Sequence, residues 1–203
     1  MLEVGPGGGA LTKYLLQIPA VNFKAVEVDQ DKVDYLVKVY PSLKPQLIHQ
    51  DFLQIPAPFE GLFTVVGNFP YNISSPILFH LLEWRHQLQS VVGMFQKEVA
   101  QRVAAPHGSK TYGVLSVLIQ AFFDVNYLFD VGEGCFTPPP KVKSGVIRLV
   151  PRAQPLSMKS EKSFKLLVKT AFNQRRKTLR NACKPLFTAD VLSDSIFLKR
   201  AEQ

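Results

Sequence analysis

Cysteine is scarce in this 203-residue chain. There are two, Cys135 and Cys183, too far apart for the close pairing of a zinc or dithiol site, and they read as reduced thiols. The four histidines, His49, His80, His86 and His107, form no ligand pattern, so no metal site is expected. No apolar run approaches the ~18 residues that cross a bilayer, and no leader-like pattern opens the sequence. The expectation is a cytoplasmic protein away from membranes. Acidic residues are scarce in one place only. Residues 1–151 carry 12 Lys/Arg against 12 Asp/Glu, whereas residues 152–203 carry 12 against 4, so the last quarter holds the whole net charge of +8. A neutral body with a basic appendage suits a polyanionic partner, most simply a nucleic acid. What is plentiful is apolar residues, 46% of the total, enough for a sizeable core. We expect a main domain over 1–151 and a small basic helical unit over 152–203. Monomer is the expected state.

Four residues, Asn68-Phe69-Pro70-Tyr71, stand out. They follow the apolar run 62–67, which reads as a buried strand, and precede a helical stretch over 75–84. In an open α/β sheet, ligands sit beyond the carboxyl ends of the strands. Asn68 offers a side-chain carbonyl that accepts from an exocyclic amine. Pro70 fixes its own φ and biases Phe69 toward an extended backbone, aiming carbonyls at the same amine. Tyr71 supplies an aromatic face for stacking. A plain strand-ending turn would also use Asn and Pro.

The chain opens as a strand, Met1-Leu2-Glu3-Val4, followed at once by Gly5-Pro6-Gly7-Gly8-Gly9 and a helical pattern over 10–17. Strand, glycine loop and helix form the first unit of a nucleotide-binding fold, and Gly5, Gly7 and Ala10 fit G-x-G-x-x-G/A. A second strand over 22–28 carries Glu27 and Asp29 at its end, where an acidic side chain meets the ribose hydroxyls of an adenosine cofactor. NAD and S-adenosylmethionine share that ribose, so Glu27 does not separate them. A helix over 31–39 and a strand over 46–49 follow. Asp51 sits at that strand's end, suited to an adenine amino group or to capping a turn.

Beyond the tetrapeptide, the patterns predict a strand over 91–96, a helix over 97–104, an exposed loop over 106–110, a helix over 112–122, and strands over 123–131 and 144–150. Pro138, Pro139 and Pro140 make the stretch between those last strands a stiff extended loop. It presents Phe136 for stacking on a base, or for the core, and Lys141 and Lys143 for phosphate. A polar linker over 151–160 leads to a helix over 161–172 and then to the densest basic cluster, with Arg175, Arg176, Lys177 and Arg180 suited to phosphate contacts. A last helical segment is predicted over 190–197.

Taken together and in this order, these motifs closely resemble the small-subunit rRNA adenine N6,N6-dimethyltransferases. Residues 2–7, with Glu3, Gly5 and Gly7, resemble that family's cofactor loop, and residues 26–29 its ribose-binding strand end. Gln50-Asp51-Phe52 is similar to its adenine-reading segment. Asn68, Pro70 and Tyr71 fall in its catalytic tetrapeptide, with Asn68 also touching the cofactor. Residues 136–144 look like its target-base loop and 172–181 its basic segment. The resemblance implies a Rossmann-like α/β methyltransferase sheet with a small C-terminal helical domain. It also implies S-adenosylmethionine as cofactor, two methyl transfers to N6 of adjacent adenosines, and small-subunit rRNA as partner during ribosome biogenesis. It further implies a segment before residue 1 and a helix after residue 203, so the expectation is a chain truncated at both ends. Rival readings are a large-subunit adenine N6-methyltransferase, a non-catalytic RNA-binding assembly factor and, on the glycine loop alone, an NAD-dependent dehydrogenase.

Overall fold

The apolar runs become strands. The computed structural model describes residues 1–154, 156–174 and 176–187. Among them are β1 (Leu2–Val4), β2 (Lys24–Glu27), β3 (Leu47–His49), β4 (Phe63–Asn68), β5 (Leu88–Gln96), β6 (Phe123–Val131) and β7 (Ser144–Pro151). They form one sheet in the order β3-β2-β1-β4-β5-β7-β6. The first five strands are parallel, and β7 runs antiparallel between β5 and β6. Parallel neighbours need crossover connections. The helices are α1 (Thr12–Leu15), α2 (Gln30–Val39), α3 (Ser74–Glu83), α4 (Lys97–Ala104), α5 (Val114–Gln120), α6 (Glu161–Asn173) and α7 (Leu179–Cys183). Strand order reverses between β1 and β4, which opens a crevice beyond their carboxyl ends.

Local chemistry explains the elements. In β4, Phe63, Val65 and Gly67 are buried while Thr64 and Val66 are half-buried, the period-2 pattern of a strand. In α3, Ile77, Leu78, Leu81 and Leu82 bury one helical face. α2 starts where the Asp29 carboxylate accepts from the N–H groups of Asp31 and Lys32 at 2.9 and 3.3 Å. The main core joins the sheet to α3, α4 and α5 through Leu2, Val65, Phe69, Ile77, Val91, Phe95, Ala100 and Ile119. A second cluster, Phe23, Ala25, Leu36 and Leu43, lies under α2. There Leu36 is fully buried, while Val33 and Val37 are only partly so.

The α/β sheet is the one the sequence predicts, and α2, α3 and α4 start within one residue of their predicted positions. Three local expectations change. The helix predicted over 10–17 shrinks to the four residues of α1, because Gly9 turns at φ 81° and the turn runs on past it. The helix predicted from Tyr112 starts at Val114, where Gly113 is extended and donates to the Ser116 hydroxyl at 3.0 Å. A helix also forms inside the basic cluster: α7 is capped by Thr178, whose hydroxyl accepts from the Asn181 N–H at 3.4 Å. Arg175, the helix predicted over 190–197 and the last residues lie outside the described residues.

α6 packs back on the main core. Phe164 is half-buried against it with its ring 6.5 Å from that of Phe122. Arg85 forms an ion pair with Glu161 and places its guanidinium 4.8 Å from the Phe122 ring. Among the described residues no helix is long and apolar enough to cross a membrane, and no group of three or more His, Cys, Asp or Glu is placed to hold a metal ion.

Candidate active site

Neighbouring strand ends bring the predicted cofactor residues to one edge of the sheet. Asp51 follows β3, Glu27 ends β2, Gly5 and Gly7 follow β1, and Asn68 ends β4. Gly5 and Gly7 have φ of 65° and 54°, so the turn itself calls for glycine. Nothing lies within 4 Å of a Cβ built at Gly5, which leaves its backbone open to a ligand. At Gly9 crowding adds to the turn: a Cβ would come within 2.8 Å of the Tyr40 ring. The third constrained glycine is thus Gly9, one residue before the Ala10 of the fingerprint. With α1 only one turn long, the loop backbone offers more to an acidic ligand group than a helix dipole does.

Glu27 is 8% exposed, not a surface carboxylate. Its Oε2 accepts from the Gly7 N–H at 3.0 Å, and its Oε1 accepts from Val28 and Asp29 at 2.9 and 3.1 Å. One side chain therefore sets the glycine loop against the end of β2. Glu3 lies beneath that loop at 1% exposure and accepts from the Thr12 hydroxyl at 2.8 Å. Burial pushes its carboxyl up to about 7, with the Thr12 hydrogen bonds opposing and the Glu27 charge adding. Asp51 is exposed and caps the turn Phe52–Gln54 by accepting from the Leu53 N–H at 2.9 Å. That bond uses one carboxylate oxygen, so the capping and ligand-binding readings are compatible. An exposed carboxylate, a second carboxylate at the β2 end and an open glycine backbone fit an adenosine-bearing cofactor.

The tetrapeptide is anchored from below. Asn68 and Pro70 are exposed, Tyr71 is half-buried, and Phe69 is 1% exposed. A Cβ at Gly93 would come within 2.2 Å of the Phe69 ring, and one at Gly67 within 3.0 Å. Phe69 also packs on Phe95 with centroids 4.8 Å apart, and its N–H donates to the Met94 carbonyl at 3.1 Å. The Pro70 carbonyl accepts from the Ile73 N–H at 3.3 Å and the Ser74 hydroxyl at 3.5 Å. The carbonyl ahead of Pro70, that of Phe69, is then the backbone acceptor to set beside the Asn68 amide. The Tyr71 hydroxyl bonds the hydroxyl of Ser144, which is wholly buried at the start of β7. Sequence patterns pick out neither Gly67, Gly93 nor Ser144; the only hint is glycine interrupting two apolar strands.

Around this floor the predicted RNA residues are open. Phe136 is half-buried and outside the hydrophobic core, so the reading of it as a core residue falls away. Lys141 and Lys143 are exposed and line a cavity of about 310 Å³ with Gln96, Lys97, Glu98 and Gln101. The Lys97 N–H donates to the Lys143 carbonyl at 2.9 Å, which ties the proline-rich loop to α4. Lys97 also pairs with Asp130, and with the Tyr127 hydroxyl it holds that carboxyl below its usual range. No ring contact among the described residues joins Phe136 to Tyr71. Arg176, Lys177 and Arg180 are exposed.

The family profile described as ribosomal RNA adenine dimethylase matches residues 1–199. The chain belongs to that family. Among its relatives, a ribosomal RNA small subunit methyltransferase A of Cytophaga hutchinsonii is 53% identical, covering 100% of this chain and 80% of its own. The crystal structure of a dimethyladenosine transferase from Plasmodium falciparum superposes with TM-score 0.73 at 31% identity, over 90% of this chain and 66% of that one. The 23S rRNA methyltransferase ErmE gives the same TM-score, 0.73, at 26% identity over 93% and 76% of the two chains. Equal backbone likeness to a dimethyladenosine transferase and to a 23S rRNA methyltransferase therefore does not by itself choose the RNA. For this adenine dimethylase family member, membership removes the dehydrogenase reading.

Proposed function

We propose that this chain binds S-adenosylmethionine across the carboxyl edge of β3, β2, β1 and β4 and dimethylates N6 of adjacent adenosines in small-subunit rRNA. One observation carries this: an exposed amide, Asn68, stands at the topological switch on a loop that buried Phe69 holds rigid. Asp51, Glu27 and the Gly5 and Gly7 backbone hold the cofactor, Asn68 borders it while serving chiefly the target amine, and Glu3 supports the loop from below. When bound, the cofactor supplies an electrophilic sulfonium methyl group.

The chain's own residues solve the other half of the problem, the weak nucleophilicity of an aromatic amine. Its lone pair is delocalised into the base. Two acceptors, the Asn68 side-chain oxygen and the Phe69 carbonyl, take its two N–H groups and draw the nitrogen toward a tetrahedral shape. The lone pair is then free for in-line attack, and positioning supplies most of the rate. No strong base acts beforehand, because the amine becomes acidic only once it carries the methyl group. Tyr71 and Phe136 replace the stacking the target loses when it leaves its strand. Lys141, Lys143, Arg175, Arg176, Lys177 and Arg180 hold phosphates, with residues 152–203 as the RNA-binding unit beside a catalytic unit over 1–151. The protein works as a cytoplasmic monomer on a precursor of the small ribosomal subunit.

The large-subunit alternative has the same backbone in its favour; the 53% identity to a small-subunit enzyme is what sets it second. The test incubates the purified chain and labelled S-adenosylmethionine with small subunits lacking the modification, and in parallel with large-subunit RNA. Digested RNA is resolved by mass spectrometry. Dimethyladenosine in small-subunit RNA is the expected product. Product only in large-subunit RNA, or none from a chain that binds cofactor and RNA, overturns the proposal.

A further inference from the structure

A cavity of about 810 Å³ opens near the start of α3, just past the tetrapeptide, and takes no part in the chemistry above. Its walls come from α3, α4, the turn before α5, and α6. Of its lining residues, Ser75 is four residues past Tyr71, and Glu98 is four past Met94, the β5 partner of Asn68. Glu98 and Gln101 also line the cavity that Lys141 and Lys143 line, so the two cavities are neighbours across α4. The far end of α6 then leads into the exposed cations Arg176 and Lys177.

The lining suits one kind of occupant. Tyr112 and Phe172 are half-buried, with ring centroids 6.2 Å apart, and Phe79 lies in the same wall. Arg102 is exposed, and neither it nor Glu98 forms an ion pair among the described residues. Aromatic faces beside a cation and uncommitted acceptors match the base, phosphate and exocyclic groups of a nucleotide. The volume falls within the ~300–1,000 Å³ of ligand sites.

The wall is also preformed. The Tyr112 N–H donates to the Ser109 carbonyl at 3.1 Å. Ser116, wholly buried, takes the Gly113 N–H and donates its own proton to the Arg102 carbonyl. Gln120 donates to the carbonyls of Val103 and Ala105 at 2.7 and 2.8 Å. The end of α4 and the turn carrying Tyr112 are thereby locked together.

We propose that this cavity seats the nucleotide next to the target adenosine, its base against Tyr112 and its phosphate on Arg102. The inference rests on the RNA-methyltransferase reading. Under it, the enzyme grips two adjacent nucleotides at once, one to be methylated and one to fix the register. A substrate of two adjacent adenosines would then exchange places between the two seats.

The test is a binding cycle. A small-subunit RNA fragment carrying the target adenosines is prepared intact and with the neighbouring nucleotide abasic. Each is titrated against the parent chain and Tyr112→Ala, and methyl transfer is followed on the same samples. For the parent, loss of the base weakens binding about tenfold; Tyr112→Ala weakens the intact RNA to the same degree and makes the abasic change silent. Losses that multiply place the base elsewhere and overturn the proposal. Arg102→Gln, an exposed change that spares the fold, is expected to lower the salt slope of binding by about 0.7–0.9, and an unchanged slope counts against the phosphate seat. A parent that binds RNA without methylating it breaks the functional reading, while the cycle still judges the cavity.

Discussion

The tetrapeptide and the proline-rich loop meet at the same edge of the sheet and are held in opposite ways. The first is fixed from inside: Phe69 fills the space over two glycines, and Tyr71 is tied to a buried hydroxyl. The second is fixed by its own stiff backbone and one main-chain bond to α4, with its lysines left in solvent. Under the proposed function, the difference separates two demands. Groups that shape a reacting nitrogen need sub-ångström placement, which close packing provides. Groups that gather a polyanion need charge and reach, which packing would only restrict.

Breaking the anchored side should cost most. Asn68→Ala is expected to lower methyl transfer about 10²-fold or more while the cofactor dissociation constant changes little. A large loss of cofactor affinity would mean that Asn68 serves the cofactor rather than the target amine. Glu3→Gln tests the floor of the glycine loop through pH. Burial lets the folded chain hold the Glu3 proton up to about pH 7, against 4.5 as the unperturbed value. The stabilisation this proton gives is full below pH 4.5 and lost as pH rises through 7. Denaturation midpoints should therefore favour Glu3→Gln over the parent increasingly from pH 5 to pH 8, by up to about 3 kcal/mol. A constant difference across that range would show that Glu3 does not titrate there.

Gly93→Ala drives a methyl group into the Phe69 ring, and we expect about 1–3 kcal/mol of destabilisation with a parallel fall in kcat. Adding Phe69→Leu to that variant should recover part of the stability but not the activity. On the exposed side, Lys141→Gln with Lys143→Gln should leave thermal stability within about 0.5 kcal/mol and reduce the RNA salt slope by about 1–2. If stability fell instead, the contrast between the two loops would collapse.

The part of the candidate site that is legible in the sequence is the part that follows from where apolar runs end. Asp51, Glu27, Gly5, Gly7 and Asn68 each sit just past an apolar run, and parallel strands bring such run-ends to one edge. What could not be read depends on residues distant in the chain. Ser144 lies 73 positions from Tyr71, and Gly93 belongs to a different strand from Phe69. Glu3 looks like a ligand-facing carboxylate from its place in the motif, and only the packing of Thr12 over it reveals an inward side chain. α7 falls within the basic helical unit that the sequence predicts, but its bounds depend on the Thr178 cap and on the burial of Ala182 and Cys183, which the charge pattern does not reveal.

The Tyr71–Ser144 bond also bears on how this site can vary. A phenylalanine at position 71 would keep the stacking face but strand a hydroxyl that has no access to water, at about 1–3 kcal/mol. The two positions therefore behave as a single two-letter word. Tyr71→Phe alone should be poorly tolerated, whereas the same change with Ser144→Ala restores a matched pair. An aligned set of related sequences should show Tyr with Ser or Phe with Ala at these two columns far more often than either mixture.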